Sequence, residues 1–487
     1  MIAGETGSGK TTQLPQFLHQ AGWTADGRNV VCTQPRRVAA MTISARVASE
    51  MGEPVGQTVG YTVRFDAKIT EGITRIRYVT DGALLREMAV DPLLHRYSVV
   101  MVDEVHERSA ATDLLLGLLW RLQRRRPTLR VVIASATNTK ERDHDPTAHA
   151  EVVALRLAGH ALENTNLSDH TLVVTLEPCA HTGKTGPCAE ALLNAGIARL
   201  VYALNDPDER VNGKGIACLR AASVEIASEF MTESALDITS GFIYNKLKNR
   251  PFFTSKIATS EDGFIAKAAG EQYWLTGDVS RRFVHDLRSR VDAVLTGSGT
   301  VLADNPQMTC RVPGIGHQPH RIILDSSARV PLSSHLVRDA SDIPVLIIHG
   351  DAADRTRLSA LAACGVELIH CRGDGSIKLD WLAGILASRG YQHVLIEAGT
   401  ILNTAFLHAG LTDRIYWLKS PEILGEGVSS VMSKIANAGI NSDATIDFGP
   451  TATYVRYSSA NLGGDNLSCW QSDSLITRHS APDKEER

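Results

Sequence analysis

One recurrence constrains the fold more than any other feature. Short apolar runs rich in Val, Ile and Leu break off in polar or glycine turns, and helical patterning follows. Residues 30–33, 98–102, 129–134, 171–176, 322–324, 345–349 and 394–396 are such runs. A strand covered by helices on both faces reads as continuously apolar. Runs of that kind interleaved with helices imply an α/β protein. At 487 residues the chain has room for about three domains.

Composition narrows the class. The net charge of −4 argues against a surface made for nucleic acid or membrane along the whole chain. No stretch of about 18 apolar residues occurs, so no membrane span is expected. Met1-Ile2-Ala3-Gly4-Glu5 lacks the basic and apolar regions of a secretory signal. Eight scattered cysteines form no disulfide framework and fit a reducing, cytoplasmic setting. Residues 1–137 form one motif-dense block. Residues 138–148 are polar, without apolar period, and are expected to be a linker. A second block covers 149–243, and a third runs over 251–471 after Pro251. The polar tail, 472–487, is expected to be disordered.

The first block opens with GETGSGKT at 4–11, matching G-x-x-x-x-G-K-[ST] at every fixed position. Gly4, Gly7 and Gly9 would let backbone N–H groups face phosphate. Lys10 would reach the β/γ oxygens, and Thr11 would ligate Mg²⁺. An apolar run ends in Asp103 and Glu104, as a Mg²⁺-binding carboxylate and a water-polarising one require. With TQPRR at 33–37, TDG at 80–82, DEVHERS at 103–109 and SAT at 135–137, the block resembles the first RecA-like domain of DEAH-box RNA helicases. Val105 stands where that family usually has Ala. The resemblance implies ATP and Mg²⁺ as ligands and RNA contact by 33–37 and 80–82. Only three residues precede Gly4, so most of the strand that launches a P-loop is missing from this reading. Nothing after Thr137 resembles the second RecA-like domain, which supplies arginine fingers worth several orders of magnitude in rate. A helicase fragment without unwinding activity is expected, with RNA at most a weak partner. Arg121, Arg124, Arg125 and Arg126 fit a solvated helix end better than an RNA patch.

The second block places His149-Ala150-Glu151 before Pro178-Cys179 and Cys188. One His and two Cys can hold Zn²⁺ and leave a fourth position for water, while the Glu shuttles protons. Zinc lowers the pKa of its water to about 7, which makes hydroxide available at neutral pH. Eight residues separate the cysteines, more than in the P-C-x-x-C pattern. That longer loop, with HAEVVALRLAG at 149–159, VTLEPCAHTGKTGPC at 174–188 and ALNDPDERVNGKG at 203–215, resembles the deaminase domain of the RibD family of bifunctional riboflavin-biosynthesis enzymes. The resemblance implies a cytidine-deaminase-like α/β/α fold, His149, Cys179 and Cys188 as metal ligands, and Glu151 as catalytic. The family's helix and hairpin before HAE have no counterpart here. An exposed sheet edge and impaired deamination are therefore expected.

The third block resembles the reductase domain of the same family, with a dihydrofolate-reductase-like fold. The resemblance rests on RPFFTSKIATSEDGFIA at 250–266, YWLTG at 273–277, VHDLRSRVDAVLTGSGTVLADNPQMTCR at 284–311, VLIEAGTILNTAFL at 394–407 and LKSPEILGEG at 418–427. Two of its apolar runs end in glycine turns, at 292–300 and 394–402, where small residues let backbone approach a phosphate. Neither is G-x-G-x-x-G, which disfavours the two-half dinucleotide fold. By resemblance, Ala258, Trp274, Thr300, Asp304, Gly399, Thr400, Ile401, Leu402, Asn403 and Thr404 would line NADPH. Gln272, Arg288, Met308, Arg311 and Glu397 would line substrate. Lys256 and Glu397 would act at the reacting ribose carbon. Asp304-Asn305-Pro306 stands where the family usually has Asp-Asp-Pro, and Glu397-Ala398-Gly399 where it often has Glu-Gly-Gly.

The sequence thus predicts an NADPH-dependent reductase of a pyrimidine ribosyl phosphate, homodimeric through its reductase domain. A zinc deaminase half impaired by truncation accompanies it. The alternative is an ATP-binding helicase fragment with a passenger C-terminal half.

Overall fold

The structure is a computed structural model. It describes residues 2–3, 10–105, 109–135, 151–152, 155, 167, 170–182, 186–228, 232–268, 273–312, 318–373, 376–432, 445–447 and 453–472. The chain divides into two compact units, Met1–Thr239 and Ser240–Arg487. The expected linker at 138–148 lies outside the described residues.

The first unit is built on a single ten-stranded sheet. Its strands are β1 (Ile2–Ala3), β2 (Asn29–Gln34), β3 (Val59–Val63), β4 (Asp66–Lys68), β5 (Ile76–Thr80), β6 (Tyr97–Val102), β7 (Arg130–Ser135), β8 (Thr171–Leu176), β9 (Arg199–Leu204) and β10 (Glu225–Ala227). They lie in the order β10-β9-β8-β1-β7-β6-β2-β5-β3-β4. All pairs are parallel except β3 with β4. Helices α1 (Lys10–Leu18), α2 (Arg37–Glu50), α3 (Asp81–Val90) and α4 (Ala110–Arg125) accompany the first part. Helices α5 (Cys188–Asn194) and α6 (Lys214–Ala221) accompany the second. Successive strand residues face opposite sides. Val31, Val79 and Val100 therefore pack with Leu84 of α3 and Leu119 of α4, while Cys32, Tyr78 and Met101 pack with Ala40 and Val47 of α2.

The expected exposed edge of β8 is met at one position. β1 lies between β7 and β8, with Ile2 in register with Ala134 on one side and Val173 on the other. A bare edge would leave a row of N–H and C=O groups unmet. The two-residue strand supplies partners to both neighbours, so helicase-like and deaminase-like strands share one sheet.

The second unit begins within helix α7 (Thr232–Lys248). Its main sheet comprises β11 (Phe252–Thr259), β13 (Ala293–Gly297), β14 (His320–Leu324), β15 (Val345–His349), β16 (Glu367–His370), β17 (His393–Ile396), β18 (Arg414–Lys419), β20 (Thr445–Asp447), β21 (Thr453–Leu462) and β22 (Asp465–Ser472). The order is β16-β15-β14-β13-β17-β11-β18-β22-β21-β20. It is parallel from β16 to β18 and antiparallel beyond. A short pair, β12 (Phe264–Ala266) with β19 (Val428–Ser429), stands apart. Helices α8 (Asp278–Arg288), α9 (Ser298–Asp304), α10 (His335–Arg338) and α11 (Arg355–Ala363) give Leu287, Val301, Leu336 and Leu361 to the core on one face, against Val294, Ile323 and Ile347. Helices α12 (Leu379–Ser388) and α13 (Thr400–His408) give Leu386 and Phe406 to the other face, against Leu295, Ile322 and Leu346. Ser472, placed in the tail by sequence, is instead the last residue of β22 and donates its N–H to Asp413 O at 3.0 Å.

The start of β11 is tied to β18 by a buried ion pair. Arg250 meets Asp413 bidentately at 2.6 and 2.7 Å, and Asp413 also accepts the Phe253 N–H at 2.9 Å. This fixes the strand that carries Lys256.

Candidate active sites

A cavity of about 310 Å³ opens in the second unit where β13 and β17 end. Gly297 and Gly399 are the N-caps of α9 and α13, and neither offers a side-chain cap. A Cβ at Gly299 or Gly399 would meet nothing within 4 Å. Backbone at both helix starts is therefore open to close approach, and that of Gly399 lines the cavity, as phosphate binding needs. β11 contributes Lys256 and Ala258, and one face of α8 contributes Arg281, Val284, His285 and Arg288. Those positions follow the i, i+3, i+4, i+7 pattern of a single helix face.

Most residues assigned by sequence converge here. Lys256, Ala258, Trp274, Arg288, Thr300, Asp304, Met308, Arg311, Glu397, Gly399, Thr400 and Asn403 all line the cavity. Ile401 instead is 89% exposed, and Leu402 packs against the core beneath α13. Thr404 is not among the lining residues. One turn of helix points its side chains in several directions, so a run of six residues cannot all face one ligand. Gln272 lies outside the described residues.

At the cavity, Arg288 and Glu397 form a bidentate pair. Nε donates to Oε1 at 2.6 Å and Nη2 to Oε2 at 2.9 Å, while Nη1 donates to Thr309 O at 3.1 Å. Arg288, assigned to substrate by sequence, thus holds the carboxylate in place. Burial pushes the Glu397 carboxyl upward, but the charge and hydrogen bonds of Arg288, helped by Lys256, hold it below the usual range. Burial pulls the Lys256 ammonium below the usual lysine range, against the opposing pull of Glu397, with Arg288 adding to the fall. Asp304 is raised by burial, opposed by Lys256. Lys256 and Asp304 are thus displaced toward neutrality, as proton transfer calls for, while Glu397 and Arg288 hold each other in their charged forms.

Asn403 is buried and donates Nδ2 to Ala398 O at 2.6 Å, while its Oδ1 has no hydrogen-bond partner among the described residues. Asn305 takes the left-handed conformation (φ 42°) at the end of α9, and its Oδ1 accepts the His335 N–H at 2.9 Å. An amide side chain tolerates that backbone region well, which accounts for Asn at this turn.

In the first unit, Cys179 and Cys188 are buried side by side. The Cys188 N–H points to Cys179 Sγ at 3.5 Å, and Cys188 Sγ lies 3.9 Å from Glu151 Oε2. Cys188 opens helix α5, where the helix dipole favours a thiolate. Its thiol is pushed well up, first by its hydrogen bond with Cys179 and then by burial. A cation between the sulfurs would reverse that sign. His149 lies outside the described residues, among which no three His, Cys, Asp or Glu side chains form a metal site.

The P-loop glycines Gly4, Gly7 and Gly9 also lie outside the described residues, and Lys10 begins α1. Thr11 Oγ1 donates to Asp103 Oδ2 at 2.5 Å, and Gln34 Nε2 donates to the same oxygen at 2.8 Å. Glu104 follows with a left-handed backbone (φ 51°). The hydroxyl and carboxylate expected to share Mg²⁺ are thus adjacent.

Comparison with known proteins follows the same division. The RibD C-terminal domain model matches residues 251–440. The riboflavin biosynthesis protein RibD of Bacillus amyloliquefaciens is 34% identical over 278 residues, which cover 57% of this chain and 73% of that one. The chain belongs to the RibD family. A solved structure from Thermotoga maritima, a diaminohydroxyphosphoribosylaminopyrimidine deaminase/5-amino-6-(5-phosphoribosylamino)uracil reductase, superposes with a TM-score of 0.54 at 27% identity. That match covers 66% of this chain and 85% of the other. The cytidine and deoxycytidylate deaminase zinc-binding region matches 129–204, and the DEAD/DEAH box helicase family matches 1–144. The human probable ATP-dependent RNA helicase DHX35 is 54% identical over 145 residues, but this stretch spans only 21% of that protein. The RibD-family chain therefore carries a helicase segment beside its deaminase and reductase parts. Among its described residues no helix is long and apolar enough to cross a membrane.

Several residues of this RibD-family chain escaped the sequence reading. Glu177 is buried and accepts the N–H groups of Asp206 and Gly213 at 2.9–3.0 Å, pinning the 206–213 loop beside the cysteines. Gly215 sits so close to Pro178 that a Cβ would lie 1.9 Å from its carbonyl oxygen. His285 and Arg281 share the α8 face with Arg288. Helical spacing from Arg288 was the available signal for those two, whereas Glu177 and Gly215 act across the fold.

Proposed function

We propose that the second unit reduces 5-amino-6-(5-phosphoribosylamino)uracil at its ribose C1′, using NADPH, as a step of riboflavin biosynthesis. The observation that carries this is the buried group of Lys256, Glu397 and Arg288 beside two glycine-opened helix starts. The residues fit the cofactor. Open backbone at Gly299 and Gly399 suits a dinucleotide's phosphates, and the orphaned Asn403 Oδ1 offers an acceptor for a carboxamide or ribose hydroxyl. When bound, NADPH supplies hydride. The rest falls to the protein. As the C1′–O4′ bond opens to an imine, O4′ takes a proton, and Lys256 is placed to give it. Glu397, kept ionised by Arg288, stabilises the cationic C1′–N unit, and Lys256 regains its proton from solvent. Arg311 faces the sugar phosphate. The sum is substrate, NADPH and one proton giving the ribitylamino product and NADP⁺. A homodimer through the reductase part belongs to the same reading.

The purified chain, mixed with NADPH and the uracil nucleotide, should lose NADPH absorbance and form the ribitylamino product by mass. No oxidation with that substrate sinks the proposal.

For the first unit, the fit of Cys179, Cys188 and Glu151 supports a Zn²⁺ site with His149 as third ligand. Zinc would supply a nucleophilic hydroxide, and Glu151 would hold its proton. The activity would be removal of the pyrimidine's amino group. The adjacency of Thr11 and Asp103 favours Mg²⁺–nucleotide binding by the helicase segment, without unwinding.

A further inference from the structure

We infer that His285 is a positioning residue that aims Arg311 at the phosphate of the substrate, and that it does so only as a neutral imidazole. The inference rests on the reductase reading above and deepens it.

The hydrogen bonds decide the tautomer. His285 Nδ1 lies 3.0 Å from Thr309 O, which can only accept, so Nδ1 carries the proton. Arg311 Nε donates to His285 Nε2 at 3.2 Å, and a guanidinium nitrogen can only donate. Nε2 must therefore present its lone pair. Both contacts are met by one species, the neutral Nδ1–H ring. A second proton would set an N–H of the imidazolium against the Arg311 N–H.

The surroundings make the imidazole a rigid post. Arg288 Nη1 shares the Thr309 carbonyl at 3.1 Å. The Gln318 side chain brackets Cys310, accepting its N–H and donating to its C=O, both at 2.8 Å. Cys310 Sγ reaches back to His285 O at 3.6 Å. The Thr309–Arg311 segment is thus clamped, and the exposed Arg311 side chain is steered by His285. The charged groups acting on the ring are Arg288 on its own helix, Arg311 on the loop and Glu397 at the end of β17, while Cys310 Sγ lies against the His285 carbonyl. Burial, then Arg288 and Arg311, pull the imidazole below the usual histidine range, while the Thr309 hydrogen bond and Glu397 oppose them. The neutral form therefore prevails at neutral pH. Arg311 loses its post as pH falls through the lowered value.

The test compares wild type with His285→Ala and His285→Gln in the full chain. A glutamine amide oxygen sits near the place of Nε2 and accepts from Arg311 at any pH. His285→Ala should raise KM for the uracil nucleotide about tenfold at pH 7.5, the worth of one hydrogen bond to a charged group, with kcat little changed. His285→Gln should rescue KM at pH 7.5. The substrate phosphate itself titrates near pH 6, so the acid rise in KM must be compared between proteins. Wild type should rise more steeply than His285→Gln between pH 7.5 and 5.5. An unchanged KM in His285→Ala, a loss confined to kcat, or an equal acid rise in His285→Gln overturns the inference. Calorimetric binding of ribose 5-phosphate to the same proteins reads Arg311 without turnover. Wild type that binds it but oxidises no NADPH refutes the reductase reading alone, and His285→Ala must then still bind about tenfold more weakly. Wild type that fails to bind it refutes the phosphate role of Arg311 and the inference with it.

Discussion

Replacing Glu397 with Gln should cost more stability than replacing Arg288 with Met, although the two residues form one ion pair. Their side chains are only 10% and 13% exposed, and the pair is bidentate at 2.6 and 2.9 Å. Breaking a buried pair by removing one partner costs roughly 3–5 kcal/mol, because a charge is left behind. Lys256 breaks the symmetry. Arg288→Met leaves Glu397 with Lys256 as a second cation, so the loss should sit near the lower bound, about 3 kcal/mol. Glu397→Gln leaves two cations facing one another, so the loss should sit near the upper bound, about 5 kcal/mol. At roughly 2–4 °C per kcal/mol for a unit of this size, melting falls by about 6–12 °C in the first case and 10–20 °C in the second. The pH dependence has a definite sign. Glu397 is held below its ordinary value, so its stabilisation is fully present above the unfolded carboxyl value, about 4.3, and is lost as pH falls through the folded value. Arg288→Met removes the main cause of that depression and leaves burial to push the carboxyl up. Its stability should then decline as pH rises through the new value. Calorimetric melts of the full chain from pH 4 to 8, with the double variant to extract the coupling, measure both effects. Losses below about 1 kcal/mol in both single variants, or the reverse order, would refute the reasoning.

Two further outcomes concern the first unit. Cys188→Ser should abolish stoichiometric zinc in metal analysis of the purified chain, since it removes a thiolate beside Cys179, and zinc retained at wild-type level would count against the assigned ligands. Lys10→Ala should abolish binding of a fluorescent ATP analogue in the presence of Mg²⁺, whereas unchanged binding would remove the P-loop from the nucleotide reading.

The cavity was largely legible before any tertiary arrangement was known. Lys256, Trp274, Thr300, Asp304, Arg311 and Glu397 were assigned by the resemblance of their motifs to the reductase family, and all of them line it. Helical spacing from Arg288 could have put His285 on the cavity face, but its role was not legible until its ring is seen between Thr309 O and Arg311 Nε. Glu177 was missed because it binds backbone amides some thirty residues further along, which carry no side-chain signature.

By itself the sequence determined where strands and turns fall, since apolar runs and glycines act through local periodicity and local backbone freedom. It also determined which residues bring thiols, carboxylates and cations to the chain. Tertiary structure alone decided their pairings. It set Arg288 on Glu397, 109 residues away, so that a cation assigned to substrate also fixes the carboxylate beside it. It also set the two residues of β1 between β7 and β8, which joins two sets of strands into one sheet. Such outcomes depend on which distant groups satisfy one another once buried. That is a property of the whole packed arrangement, and no local pattern encodes it.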